Sequence, residues 1–382
     1  MFSLRIRQVF LPLLVVCTHL SVSAQNTLKP KYANSNIYSG IEVGSKGVKM
    51  SVIEIGKNAK SSGAFNILKD TSVNTDFISF TDPTYSATLK GLLDMYNKAV
   101  KEYKIPTKRV FTVISSGVKM QAEKDNKSDW VKKLIDDFRT AAGEPGRQVE
   151  VVDVEKEAKL SHLGIVPDSR RYTTFLIDIG SGNTKGGYFP YGNTNDFKLF
   201  QLNWGTKSTA NATEKRCEGD VTLPNFYKQL QRVLASAENS EIIYAVNSSG
   251  AYALSDNIAV SGGIAWAVAT LTHPELNDNP IVSVSFDEVR QFYEKLYNNM
   301  DALSAKFLSG NINRAADKEA AMNEVNRVYK VFDQKALLSG TGLLIKIMRQ
   351  FESAFDTKHF YLVKNGQVGW VSAYVDDATE QE

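Results

Sequence analysis

Thr173 to Tyr188 reads TTFLIDIGSGNTKGGY: an apolar run ends in one carboxylate, turns through small residues and resumes as a second short run. A fainter copy, IYSGIEVGSKGVKMSVIEI, lies at Ile37 to Ile55. In both, an acid, an apolar residue, Gly and Ser follow strand-like residues in one order, Glu42-Val43-Gly44-Ser45 and Asp178-Ile179-Gly180-Ser181. A strand that turns sharply through Gly and Ser exposes consecutive backbone N–H groups on one side, and such a concavity attracts anions, phosphate above all. The carboxylate before the turn repels phosphate, so its natural partner is a divalent cation shared with phosphate oxygens, the hard oxygen setting that Mg²⁺ prefers. A repeat of this kind confines the chain to folds that are themselves duplicated, with one copy opening each half.

The 382 residues agree with two units, since domains run to roughly 100–200 residues each. Before them, Arg5 and Arg7 precede an apolar run from Val9 to Val16, and Val22-Ser23-Ala24 offers small residues for a signal peptidase. That run is too short to span a bilayer. The pattern predicts a signal peptide over 1–24, cleaved after Ala24, and a periplasmic or secreted protein. A lipid anchor through Cys17 is the competing reading, disfavoured by the bulk of Val16 before it. Removing the leader takes two arginines and no acid, so the formal charge falls from +3 to +1 over 358 residues. Near-neutral balance offers no field for nucleic acid, and no stable membrane insertion is expected after cleavage. Cys217 is then the lone cysteine, which excludes an intrachain disulfide.

Residues 25–36 are polar and read as a disordered lead-in, 37–167 as the first domain, 168–375 as the second with a helical C-terminal part, and 376–382 as an acidic, frayed tail. Strands and helices alternate throughout, an α/β pattern. In the first half a helix capped by Ser86 is predicted to Tyr103, a strand at Arg109–Ile114 leading into the turn Ser115-Ser116-Gly117, a helix from Ser128 or Asp129 to Gly143, a strand at Val149–Val152, and a helix over Glu155–Leu163 ending at Gly164. The second half opens with an antiparallel meander at Phe175–Ile179, Gly186–Phe189 and Phe197–Leu202, then a helix at Leu223–Ala237 and a strand at Glu241–Val246. Helices are predicted near Ile264–Leu271, Phe286–Met300, Ala316–Phe332 and Leu343–Phe355.

Other phosphate and catalytic motifs fail. The chain has no Gly-x-x-x-x-Gly-Lys-Ser/Thr, and Gly180-Ser181-Gly182 is followed by strand and turn residues where a dinucleotide fingerprint needs a helix. His19, His162, His273 and His359 are scattered without metal-ligand spacing, and no Gly-x-Ser-x-Gly elbow occurs. Trp204, Phe226 and Tyr227 read as core. For the Glu42 copy taken alone, a plain hairpin turn remains the simpler reading.

The paired loops, together with Val149-Glu150-Val151-Val152 and Glu155-Lys156-Glu157-Ala158-Lys159-Leu160-Ser161-His162-Leu163-Gly164, resemble the exopolyphosphatase and guanosine pentaphosphate phosphohydrolase (Ppx/GppA) family of the actin-like ATPase superfamily. Ser115 to Lys119, Leu202 to Lys207, Val260 to Gly263 and Leu338 to Leu344 resemble further landmarks in that family's order, so the likeness spans nearly the whole mature chain. It implies two ribonuclease-H-like (actin-like ATPase) domains around a phosphate-binding cleft. It also implies Glu157 as the catalytic carboxylate that orients and deprotonates the attacking water, and Asp178 with Glu42 as ligands of Mg²⁺. Gly44, Ser45, Lys46, Gly180, Ser181, Gly182, Asn183, Thr184 and Lys185 would surround the phosphoryl group, with Lys119 as a cationic clamp where the family has Arg. Expected partners are polyphosphate or another phosphorylated small molecule, and a homodimer is the assembly envisaged.

The sequence departs from the family at both loops. Asp-x-Gly-Ser-Asn-Ser-x-Arg becomes Glu42 to Lys49, and Asp-x-Gly-Gly-Gly-Ser-x-Glu becomes Asp178 to Lys185, which puts a cation where the family has a carboxylate. Such a site holds Mg²⁺ less well and bare phosphate better. Two readings follow: an exported Mg²⁺-dependent phosphohydrolase releasing terminal phosphate from polyphosphate-like chains, or a non-catalytic phosphate- or nucleotide-binding module. A scaffold with relic loops is the third.

Overall fold

The computed structural model describes residues 28–31, 35–55, 65–353, 356–364 and 366–379. The leader, Cys17 and Ala24 lie outside the described residues, as do the last three positions of the tail.

The repeat seen in the sequence is a repeat of sheets. The first half builds β1 (Asn36–Val43), β2 (Gly47–Ile55), β3 (Phe65–Asn74), β4 (Val110–Ile114) and β5 (Glu150–Val151) in the order β3-β2-β1-β4-β5. The second builds β6 (Thr174–Ile179), β7 (Thr184–Tyr188), β8 (Lys198–Leu202), β9 (Asn257–Ser261), β10 (Ile281–Val284) and β11 (His359–Val363) in the order β10-β11-β9-β6-β7-β8. Apart from edge strand β10 the orders correspond: an antiparallel three-strand meander, then two parallel strands beside its first member. This is the α/β, two-domain actin-like architecture.

Helices cover the sheets and fill two cores. One gathers Phe77, Leu92, Leu134 and Phe138 over β1 and β2. The other gathers Phe175, Phe226, Leu230, Leu344 and Phe351 over β6 and β9. Side chains that are large, apolar and completely buried dominate both, and each contributes about 1.5–3 kcal/mol relative to exposure. Cys217, Phe226 and the partly buried Trp204 and Tyr227 belong to the second core.

The last helix, Gly366–Thr379, returns to the first sheet and packs on the helix Val154–Ile165. Trp370 and Val371 join Val113, Val152 and Leu160 in a third cluster. The approach is close because Gly164 faces Gly369: a Cβ on Gly164 would lie 2.0 Å from the Gly369 carbonyl oxygen.

Several predicted boundaries move. The first long helix is Asp82–Asn97, capped by Thr81 rather than Ser86; the Thr81 hydroxyl accepts from Thr84 N–H and Pro83 sits in the first turn. A single π-turn at Lys98–Glu102 then ends it. Ser115-Ser116-Gly117 is no simple turn, since a helix starts there and runs Ser116–Lys124. Gly164 lies inside its helix, where the close contact with Gly369 accounts for it better than a cap. The predicted strand Glu241–Val246 is helical: Leu223–Ala237 continues through a π-turn at Glu238–Ile242 into Ile243–Ser249. There Ile242 and Val246, four residues apart, bury on one side, so tertiary packing overrides the β-propensity of the run. The helix after Phe332 begins at Gln334, capped by Asp333. The lead-in is partly docked, with Leu28 against the first core and Lys31 N–H donating to the Glu54 carboxylate at 2.7 Å. Helix also continues past Asp376 to Thr379. No helix among the described residues is long and apolar enough to cross a membrane.

Candidate functional site

In both glycine turns the first Gly N–H donates to the carbonyl three residues on. In the first, Gly44 N–H donates to Gly47 O at 2.8 Å and Gly47 N–H returns to Gly44 O at 3.2 Å. Thr75 and Asp76 N–H hold the Lys46 carbonyl, which leaves the N–H groups of Ser45 and Lys46 without a protein acceptor among the described residues. In the second, Gly180 N–H donates to Asn183 O at 2.9 Å. The Gly180 and Ser181 carbonyls turn away to accept from Thr206 and Lys207 at the start of the helix Thr206–Arg216, at 2.9 and 2.8 Å. Gly205 permits this approach, since a Cβ there would stand 2.6 Å from the Gly180 carbonyl. The N–H groups of Ser181, Gly182 and Asn183 have no protein acceptor among the described residues. Each turn is thus a ring of carbonyls spent on the fold and amides left over, which is what an anion requires.

The two turns face a shared cavity of about 440 Å³ between the sheets. Its acids are Glu42, Asp70, Glu157 and Asp178; its bases are Lys46, Lys49, Lys185 and Arg327. Glu157 comes from the first turn of its helix, where Asp153 caps by accepting from Lys156 N–H at 2.7 Å. It is 2 % exposed. One oxygen, Oε1, meets Lys185 Nζ at 2.6 Å; the other accepts Ser116 N–H at 2.7 Å. Burial alone would raise the pKa of Glu157, but Lys185 and the Ser116 hydrogen bonds outweigh it and hold the carboxyl below its ordinary range. Burial likewise works against the charge on Lys185, and the Glu157 and Asp178 carboxylates more than compensate, keeping it firmly protonated.

Register explains the pairing. Asp178 lies opposite Lys185 across β6 and β7, and Glu42 opposite Lys49 across β1 and β2. Directly opposed residues on antiparallel strands share a face. Asp178 Oδ1 also accepts from Ser261 Oγ at 2.9 Å. Glu42 is buried with Oε2 unpartnered, and burial pushes its carboxyl upward against the pull of Lys49. Among the described residues no three His, Cys, Asp or Glu side chains converge closely enough to hold a metal ion.

Of the residues singled out in the sequence, Glu42, Gly44, Ser45, Lys46, Glu157, Asp178, Gly180, Ser181, Gly182, Asn183 and Lys185 come together at this cavity. Lys46 reaches the opposite domain, its Nζ 5.2 Å from the Phe332 ring centroid. Thr184 is buried and donates to the Trp204 carbonyl at 2.7 Å, away from the cavity. Lys119 is half-buried on the helix Ser116–Lys124 and does not line the cavity. His162 packs edge-on against Phe189 with Nε2 at 3.0 Å from the Thr174 carbonyl, apart from Glu157.

Lys49, Asp70 and Arg327 were not singled out, nor were Trp266, Phe332 and Trp370 on the apolar walls. Lys49 had a signal. Both copies read acid-x-Gly-Ser-x-x-x-Lys, from Glu42 to Lys49 and from Asp178 to Lys185. Arg327 and Phe332 arrive from a distant helix end that nothing local in the sequence directs to the cleft.

No protein-family model and no curated protein matches this chain. Solved structures do. The type II variant of the Ppx/GppA phosphatase of Aquifex aeolicus superposes with a TM-score of 0.56 at 16 % identity, covering 88 % of this chain and 99 % of that one. An exopolyphosphatase from Cytophaga hutchinsonii gives 0.56 at 14 % identity, covering 90 % and 98 %. An exopolyphosphatase-like protein gives 0.58 at 14 %, covering 91 % and 98 %. At these identities the likeness is one of fold, and it extends over both domains.

Proposed function

We propose that this chain is a phosphohydrolase that takes the terminal phosphoryl group of polyphosphate, or of a related phosphoanhydride, between its two domains, with Glu157 directing the attacking water. The observation that carries this reading is the convergence on one cavity of two turns with unspent amides, four cationic side chains and a buried carboxylate. The names of the fold neighbours, a phosphatase and an exopolyphosphatase, support the same reaction class. A leader over 1–24 would place the protein where inorganic polyphosphate is a better-matched substrate than a cytoplasmic nucleotide.

In the reaction, the water oxygen bonds to the terminal phosphorus as the bridging P–O bond breaks. The shortened chain leaves with that electron pair, and Glu157 receives a water proton. An incoming phosphoryl oxygen competes with Glu157 for the Lys185 ammonium, and the exchange releases Oε1 toward the water. Phosphoryl transfer passes through a loose transition state in which positioning and charge stabilisation dominate. A carboxylate of depressed basicity can therefore still serve by aiming the nucleophile, while the turn amides stabilise the developing charge.

One observation favours a second reading, binding without turnover: both Glu157 oxygens are already engaged. Phosphate release from polyphosphate, a guanosine polyphosphate and ATP separates the two. The hydrolase reading expects release that drops about 10²–10⁴-fold in Glu157→Gln. Equal release by the variant removes Glu157 from this role; tight binding with no release supports the second reading.

A further inference from the structure

We infer that Lys49 and Lys185 stand in the place of a divalent metal ion, so that the cleft takes a phosphoryl anion free of metal. This rests on the phosphoryl-binding reading above and concerns what neutralises the ligand there.

The repeated spacing is the first support. In both hairpins the residue seven positions after the acid is Lys, and the register sets each Lys opposite its acid, Glu42 with Lys49 and Asp178 with Lys185. The two halves therefore carry the same acid–lysine device at the same place in the same fold. Each lysine acts electrostatically on the acid it faces across the hairpin, Lys49 on Glu42 and Lys185 on Asp178, so a cation bridging carboxylate and phosphate would have to enter against a positive charge already there.

The donor set is the second. Mg²⁺ demands near-octahedral oxygen ligation and draws on carboxylates free to face it. Glu157 offers neither oxygen, since Lys185 Nζ lies 2.6 Å from one and Ser116 N–H is bound to the other. Asp178 accepts from Ser261 through Oδ1, which leaves it Oδ2 alone, and it shares its strand register with Lys185. The orphan Oε2 of Glu42 is a single donor, and the cation acting on it most strongly is Lys49. Mg²⁺ placed here would share the cavity with the Lys49 and Lys185 ammonium groups, and like charges in a buried site repel strongly.

Charge balance is the third. Two lysines bring the two positive charges that one Mg²⁺ would bring, and the strands β2 and β7 that carry them hold them at the cleft. An ammonium is a compact point charge with three donors, suited to a phosphoryl oxygen that approaches from varied directions. Added Mg²⁺ then acts on the ligand by complexing it in solution and competes with the cleft.

Calorimetric titration of the mature chain with tripolyphosphate tests this, once in EDTA and once in excess Mg²⁺. Binding is expected in EDTA, several-fold weaker in Mg²⁺, and weakened about tenfold or more by Lys49→Gln or Lys185→Gln. Because Lys185→Gln disturbs a buried pair, the half-buried Lys49 carries the test if that variant does not fold. Binding of the wild type only with Mg²⁺, or undiminished affinity of Lys49→Gln in EDTA, overturns the inference and leaves the phosphoryl reading standing. No binding under either condition overturns both.

Discussion

Lys185→Gln leaves Glu157 as a buried carboxylate without its ammonium, in a cavity that already holds Glu42 and Asp178. The contact removed is 2.6 Å long, between side chains 9 % and 3 % exposed. Breaking such a pair from one side costs about 3–5 kcal/mol, most of it the uncompensated charge left behind. Glu157→Gln should cost less, about 1–3 kcal/mol, because the Gln amide oxygen can keep the Ser116 bond and Lys185 retains the Asp178 and Glu42 carboxylates. The double variant removes both charges together, so its cost should fall short of the sum by about 2 kcal/mol. Urea unfolding followed by circular dichroism measures all four proteins. The pH dependence gives a second reading of the same pair. In the wild type the Glu157 pKa is lowered, so its contribution is complete above the ordinary carboxylate range and lost only as pH falls through the depressed value. In Lys185→Gln burial dominates and the pKa turns upward, so protonation relieves the deficit and the gap from wild type narrows toward pH 4. Additive costs within about 0.5 kcal/mol, or a deficit unchanged from pH 7.5 to 4, would refute a coupled buried pair.

Three further outcomes are expected. His162 has its pKa lowered from 6.5 to about 4 by burial, with the Thr174 carbonyl opposing and Arg171 reinforcing the shift. Its neutral form supports the fold above pH 6.5 and that support is lost as pH falls toward 4; at pH 5 the loss is about 2 kcal/mol. His162→Phe should therefore flatten the acid side of the stability profile, and an unchanged profile counts against this assignment. Gly164→Ala, whose Cβ would meet the Gly369 carbonyl at 2.0 Å, should lower the melting temperature through a clash of about 1–3 kcal/mol. Gly146→Ala, with nothing within 4 Å, should be silent or slightly stabilising, and equal effects of the two would show that the helix contact is not tight. Tripolyphosphate affinity should fall steadily as NaCl rises from 50 mM to 500 mM, since the lysines act through charge; affinity indifferent to salt would mean the turn amides act without them.

The duplicated fold was legible because its signal is local: acid, Gly and Ser at fixed spacing inside a hairpin, with the meander strands on either side. Glu157 was legible only through family likeness, since on its own it reads as a helix residue between Lys156 and Lys159. The ion pair to Lys185 could not be read from the sequence, because it joins the first half of the chain to the second through tertiary packing alone. For the same reason the return of Gly366–Thr379 to the first sheet was invisible, as was the arrival of Arg327 and Phe332 at the cavity. The helix at Ile243–Ser249 went astray for a different cause. A β-branched run has no periodicity long enough to reveal that its neighbours on both sides are helical.

The proposed site requires both glycine turns to grip one phosphoryl group. A crystal structure of Glu157→Gln with tripolyphosphate tests it most directly. The terminal phosphorus is expected between the turns, its oxygens within hydrogen-bond reach of the amides of Ser45 or Lys46 on one side and of Ser181 to Asn183 on the other, with Lys185 turned toward it. Tripolyphosphate bound elsewhere, or gripped by one turn alone while the other stays clear of it, would contradict a two-sided grip.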